Sequence, residues 1–163
     1  MIVLPAPLRH ALRQQAARCA QAEAGGMPLD PPPLLKLFNP LGAATWLVTE
    51  LGEDGDTLFG LADLGFGCPE LGHFSLGEIG GIRLPFGLAI ERDILFESRD
   101  PLSVWAHWAG RSGSIRAAET LLARAPFLRG IPLPRTAPSP ANDAGGDAGS
   151  DDAGNGHDIG SEP

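Results

Sequence analysis

The chain has 163 residues, 43% of them hydrophobic, enough to bury one sizeable core. Its formal net charge is −8, but six of the 20 acids lie after Arg135, where no Lys or Arg follows, so residues 1–135 stand near −2. Two cysteines, Cys19 and Cys68, exclude a disulfide framework and do not form a metal-type pair, and no run approaches the ~18 apolar residues that cross a bilayer.

Pro7 to Ala24 is expected to be a helix, because proline suits a first turn, alanine and glutamine favour the state, and Leu8, Leu12 and Cys19 make a thin apolar stripe. Gly25-Gly26 ends it. Pro28 to Pro33 holds four prolines in six residues and reads as an extended linker. Leu34 to Phe38 is a short apolar strand, turned by Asn39-Pro40-Leu41-Gly42 into the hairpin around which the chain is organised.

That hairpin spans 44–64. Thr45 to Leu51 and Thr57 to Leu64 favour a pleated, half-buried chain, and Asp54-Gly55 supplies the bend. A two-residue turn would set Glu53 against Asp56, a like-charge pair, so a four-residue loop is expected. The resulting register pairs Leu51 with Leu58 and Trp46 with Asp63. One face then carries Trp46, Val48, Glu50, Phe59, Leu61 and Asp63, the other Leu47, Thr49, Leu51, Leu58, Gly60, Ala62 and Leu64. Both faces are expected to be covered.

Glu70 to Phe74 forms a brief strand, and Ser75-Leu76-Gly77-Glu78 fits a capping box that opens a short helix stopped by Gly80-Gly81. After a turn-rich link over 82–88, Ala89 to Phe96 is the next strand, with Ile90, Arg92, Ile94 and Phe96 on one face. Pro101 to Ala109 and Ile115 to Ala125 are helical, and Trp105 and Trp108 share a face of the first. From Thr136 onward the composition cannot bury enough apolar surface to order the chain, and a disordered acidic tail is expected over 136–163. The fold class is thus α+β: an antiparallel sheet of four or five strands flanked by short helices, in one domain over 1–135.

Candidate sites are few. Glu50, Asp54, Asp56 and Asp63 supply the oxygens a divalent cation wants, but the hairpin register separates the loop tip from Asp63, and a solvated acidic turn is the plainer reading. Arg92 on an apolar face calls for a carboxylate, with Glu50 and Asp63 as partners on the face of Trp46; otherwise it snorkels to water. His73 with Glu70, Glu91 or Asp93 could act as a general acid–base set, or stand as a half-buried histidine beside Phe74. Cys68 with His73 as a thiol nucleophile lacks an orienting third group. Trp105, His107 and Trp108 form either an aromatic anchor for a partner or the closure of the core. Bases gather near the ends (Arg9, Arg13, Arg18; Arg111, Arg116, Arg124, Arg129, Arg135), a pattern suited to nucleic acid or to solvated helix faces.

In order, KLFNP, TWLVTE, LFGLADL, ELGHFSLGEI and GLAIERDILF resemble the bacterial domain of unknown function 2958, over about Leu34 to Asp100. The family is often met on plasmids and integrated mobile elements. His73 stands where the family's LGYFSL-like piece has a tyrosine, and this chain contains none. The resemblance implies no activity. It does imply a setting, so the expected function is a non-enzymatic interaction module serving a mobile element, with a protein partner and no cofactor, metal or membrane. A small hydrolase using His73 with Glu91 or Asp93 and a nucleic-acid-binding accessory protein are the alternatives. The opening MIVLPAPLRHALRQQ lacks the basic lead and long apolar stretch of a secretion signal, so a cytoplasmic location is expected.

Overall fold

Side chains alternate across a strand, and the apolar positions of the central hairpin therefore feed two separate cores, one on each side of a five-stranded antiparallel sheet. The computed structural model describes residues 4–124. In chain order these form α1 (Ala6–Ala24), β1 (Leu35–Phe38), β2 (Thr45–Leu51), β3 (Thr57–Asp63), β4 (Glu70–Ser75), α2 (Leu76–Gly81), a 3-10 turn (Pro85–Gly87), β5 (Glu91–Arg92), α3 (Leu102–Ser112) and α4 (Ile115–Arg124). The strand order is β4-β3-β2-β1-β5. The expected tail, 136–163, lies outside the described residues.

The first core gathers Leu4 and Leu12 of the α1 side, Ile79 of α2 and Ile90 against Leu35, Leu37, Trp46, Val48, Leu51 and Leu58. The second gathers Leu102, Val104, Trp105 and Ala109 of α3 and Ile115, Ala118 and Leu122 of α4 against Leu47 and Leu61. The sheet is thus the middle layer, with α1 and α2 on one side and α3 and α4 on the other. Trp46 is only 4% exposed.

The acidic bend and the pairing of Leu51 with Leu58 follow the sequence reading. Gly52 donates to Thr57 at 2.7 Å, closing a loop of Glu53, Asp54, Gly55 and Asp56 in which Gly55 takes a φ of 77°. Further along, the expected register fails. A β-bulge between Val48 and Glu50 sets Trp46 opposite Ala62, and Asp63 opposite Thr45. The consequence is an exchange of faces: Trp46 and Val48 lie with Leu51 and Leu58, whereas Phe59, Leu61 and Asp63 lie with Leu47 and the α3–α4 core.

Gly60 makes the bulge possible. A Cβ there would sit 1.9 Å from the Leu47 carbonyl oxygen, so no side chain fits where β2 crowds β3. Thr49, the extra residue, is held from both sides: its hydroxyl donates to the Phe59 carbonyl at 3.2 Å, and its carbonyl accepts from Gln15 Nε2 at 2.8 Å. The same amide of Gln15 reaches the Pro32 carbonyl at 3.1 Å, which ties α1 and the proline linker to β2 just beyond the end of its pairing with β1.

The strand expected over 89–96 shrinks to two residues. Asp93 N–H still donates to the Lys36 carbonyl, but the Asp93 carboxylate then accepts the Leu95 N–H at 3.1 Å and turns the chain away. Ile94 and Leu95 end up 73% and 85% exposed.

Candidate functional site

Three aspartates are helix caps, and two of them, Asp56 and Asp63, look like metal ligands in the sequence. Asp30 accepts from both the backbone N–H and the hydroxyl of Ser103 at the start of α3. Asp56 accepts from Gly77 N–H at 2.7 Å and Ser75 Oγ at 2.6 Å at the start of α2, where Ser75 in turn accepts from Glu78 N–H as the capping box requires. Asp63, fully buried, accepts from Ile115 N–H at 2.9 Å at the start of α4 and from Gly65 N–H at 2.8 Å. Helix N-termini carry unpaired N–H groups and a partial positive charge, so a carboxylate delivered from elsewhere satisfies both.

Asp54 serves its own loop. It accepts from the Thr57 hydroxyl and from the N–H groups of Thr57 and Asp56, and these bonds hold its carboxyl down at about 2. Glu50, Asp54, Asp56 and Asp63 are therefore parted among different tasks. Among the described residues, no cluster of three or more histidines, cysteines and acids could hold a metal.

Arg92 and its expected partners sit on different sides of the sheet. Arg92 pairs with Leu37 in the row of Trp46, on the α1 face, whereas Asp63 points to α4 and Glu50 stands opposite Phe59. Among the described residues, the ion pairs belong to Lys36, and Arg92 makes none with either acid. The bulge is the reason, since it moves Glu50 and Asp63 off the tryptophan face.

His73 fares similarly. It lies on β4 against Phe59, ring centroids 4.9 Å apart, at one edge of the sheet, while Glu91 lies in β5 at the other edge and Asp93 just beyond it. The intervening three strands, each ~4.8 Å from the next, rule out a shared proton. Glu70 begins the same strand as His73, and no hydrogen bond joins the two among the described residues. Cys68 is exposed on the loop before it. The row Glu50–Phe59–His73 does bring a carboxylate toward the imidazole. Burial pushes the Glu50 carboxyl up, and it pushes the Cys19 thiol beside it, with Glu50 adding to the effect, to about 11. So high a thiol is a hydrogen-bond donor and not a nucleophile.

Trp105 is 4% exposed and Trp108 half-buried against the same core, as expected of residues that close it. Trp105 also helps to build an opening in the described structure. Its Nε1 donates to Ser98 Oγ at 2.9 Å, and Ser98 Oγ also accepts the Asp100 N–H at 3.2 Å, so a single hydroxyl organises the 96–100 segment. That segment, Pro33 and Leu34 of the linker, and Glu119, Leu122 and Ala123 of α4 enclose a groove of about 860 Å³. Its walls combine Phe96, Trp105 and Leu122 with Glu97, Arg99 and Asp100.

Beside the groove lies a cluster that the sequence reading did not single out. Lys36, 9% exposed in β1, donates to both carboxylate oxygens of Glu119 at 2.6 and 2.7 Å, stands 3.4 Å from Asp93, and lies 5.7 Å from the centre of the Phe96 ring. A second cavity of about 270 Å³ opens on its other side, lined by Arg116, Thr45 and Asn39. The available signal was a lysine inside a four-residue run of leucine and phenylalanine, the same argument that drew attention to Arg92.

Comparison with curated proteins and with solved structures gives no match. A family model described as Protein of unknown function (DUF2958) matches residues 3–116, a span that takes in all five strands and α1 to α3 but only the first two residues of α4.

Proposed function

Because the chain belongs to the DUF2958 family, whose description names no activity, we propose from its geometry that it is a non-enzymatic interaction module that receives a protein partner in the groove beside α4. The observation that carries this reading is the pairing of a preorganised groove, part aromatic and part charged, with polar side chains elsewhere committed to caps and ion pairs. Aromatic surface flanked by charge is the composition of a recognition site, and Ser98 fixes its wall in advance of binding. The setting, a bacterial plasmid or integrated mobile element and its host's cytoplasm, is the one the family resemblance implies. No helix among the described residues is long and apolar enough to cross a membrane.

Nucleic acid is the competing partner. Arg9, Arg13 and Arg18 ride on α1 and Arg111, Arg116 and Arg124 on α3 and α4, on opposite sides of the sheet, so these bases do not merge into one stripe. The test is a pull-down with the full chain from the host cell, with and without nuclease, beside the variant Ala123→Arg, which alters an exposed groove residue. Protein captured despite nuclease and lost in the variant supports the groove. Capture abolished by nuclease, or indifferent to Ala123→Arg, overturns it.

A further inference from the structure

The two edges of the sheet are guarded unequally. β5, at one edge, is two residues long, and Asp93 turns the chain away after it. β4, at the other, pairs with β3 along all six of its residues in unbroken register, and no lysine, proline or bulge interrupts it. Those are the devices that keep an open edge from pairing with another chain.

Backbone geometry fixes what that edge offers. Leu76 N–H donates to the Asp56 carbonyl, which makes Thr57 and Ser75 a pair without mutual hydrogen bonds. Alternation then assigns the bonds with β3 to Glu70, Gly72 and Phe74, and turns the N–H and C=O groups of Leu71 and His73 outward. β4 ends the sheet, so among the described residues no strand meets those groups. Leu71 is 51% exposed, and a Cβ built on Gly72 would meet nothing within 4 Å.

We propose that β4 pairs antiparallel with β4 of a second copy of the chain, about a two-fold axis through Gly72, joining two five-stranded sheets into one. With Gly72 facing Gly72, Leu71 of each copy faces His73 of the other, and a hydrogen-bonded pair forms on either side of the axis. The outward groups of both residues thus find partners in both copies, a self-complementarity that only a second copy supplies. The faces agree as well: Leu71 and His73 lie on the α3–α4 side and Gly72 on the α1–α2 side, and residues opposed across strands must share a side. Gly72 occupies the pair without hydrogen bonds, where Cα atoms come closest, to ~4.5 Å. Glu70 meets Phe74 instead of the other Glu70, so no like charges are opposed. A shift of two residues would draw in Ser75, whose carbonyl, as the N-cap of α2, accepts the first bond of that helix. The groove lies toward the other edge, beside the linker to β1 and the segment after β5, and takes no part in this pairing.

The test follows the full chain by sedimentation velocity over a wide concentration range. A reversible monomer–dimer equilibrium is expected, and a weak one, because six residues a side lie at the small end of specific interfaces. Leu71→Lys should raise its dissociation constant about tenfold, because it charges the open edge and the two-fold counts each altered pair twice. The far-ultraviolet spectrum should not change. Register is read by oxidation with Cys68→Ser present, which removes the exposed thiol. Gly72→Cys should then give an intermolecular disulfide, whereas Glu70→Cys, about 14 Å from its counterpart in this register, should not. A monomer at every concentration, a dimer indifferent to Leu71→Lys, or a disulfide as ready through Glu70→Cys as through Gly72→Cys would each overturn the proposal.

Discussion

Asp54 and Glu50, four residues apart, carry opposite pH slopes. The Asp54 carboxyl is held below its ordinary value of 3.8 by the Thr57 hydroxyl and two backbone N–H groups. Its contribution to stability is therefore complete above 3.8 and is lost as pH falls through about 2. Glu50 is raised above 4.5 by burial, so its contribution is complete below 4.5 and is lost as pH rises through the folded-state value. In urea titrations across pH, Asp54→Asn should flatten the acid limb alone, and Glu50→Gln should flatten the decline above 4.5. Exchange of these two effects would contradict the assigned environments. At this scale the sequence was only partly legible. A charged residue among apolar neighbours, such as Arg92, prompts a search for a carboxylate on the same face, but which residues share that face depends on a register that a single bulge exchanges. Lys36 shows the converse: its partner Glu119 lies 83 residues away in a helix with no marker of that role.

Element boundaries followed from local chemistry and were largely readable: the proline and alanine of α1, the Asp-Gly bend, the Ser75 capping box and the glycines that stop α2. The bulge was not, because TWLVTEL carries apolar residues on both faces and nothing in it marks where the register shifts. Its signal sits on the partner strand, at Gly60, and only the crowding of Leu47 reveals what that glycine is for. Gly60→Ala should destabilise by about 1–3 kcal/mol through overpacking against backbone that cannot move aside. Preserved stability in chemical denaturation would mean that β2 relaxes freely. Asp63→Ala leaves the N–H groups of Ile115 and Gly65 without their acceptor, and should cost about 2–3 kcal/mol. Asp63→Asn, which keeps one acceptor oxygen, should cost less. Equal losses in the two variants would show that the cap is not the source.

For the whole molecule, the Lys36 cluster is what joins β1, the segment after β5 and α4. Its side chains are unequally buried, with Lys36 at 11% and Glu119 at 37% exposure, and removal of either therefore leaves a different orphan. Glu119→Gln strands a buried ammonium on Asp93 alone and should cost about 2–3 kcal/mol, whereas Lys36→Met returns its acids to water and should cost under about 1 kcal/mol. Urea midpoints in the reverse order would refute that asymmetry. The three long-range aspartate caps bear on ancestry as well as on stability. α3 and α4 begin under carboxylates that belong to the proline linker and to β3, 73 and 52 residues upstream. The helical pair is thus no transplantable cassette: recombination that delivered it to a relative lacking Asp30 and Asp63 would supply two helices with bare starts. A peptide of residues 98–124 alone should accordingly show little ellipticity at 222 nm, the wavelength that reports helix.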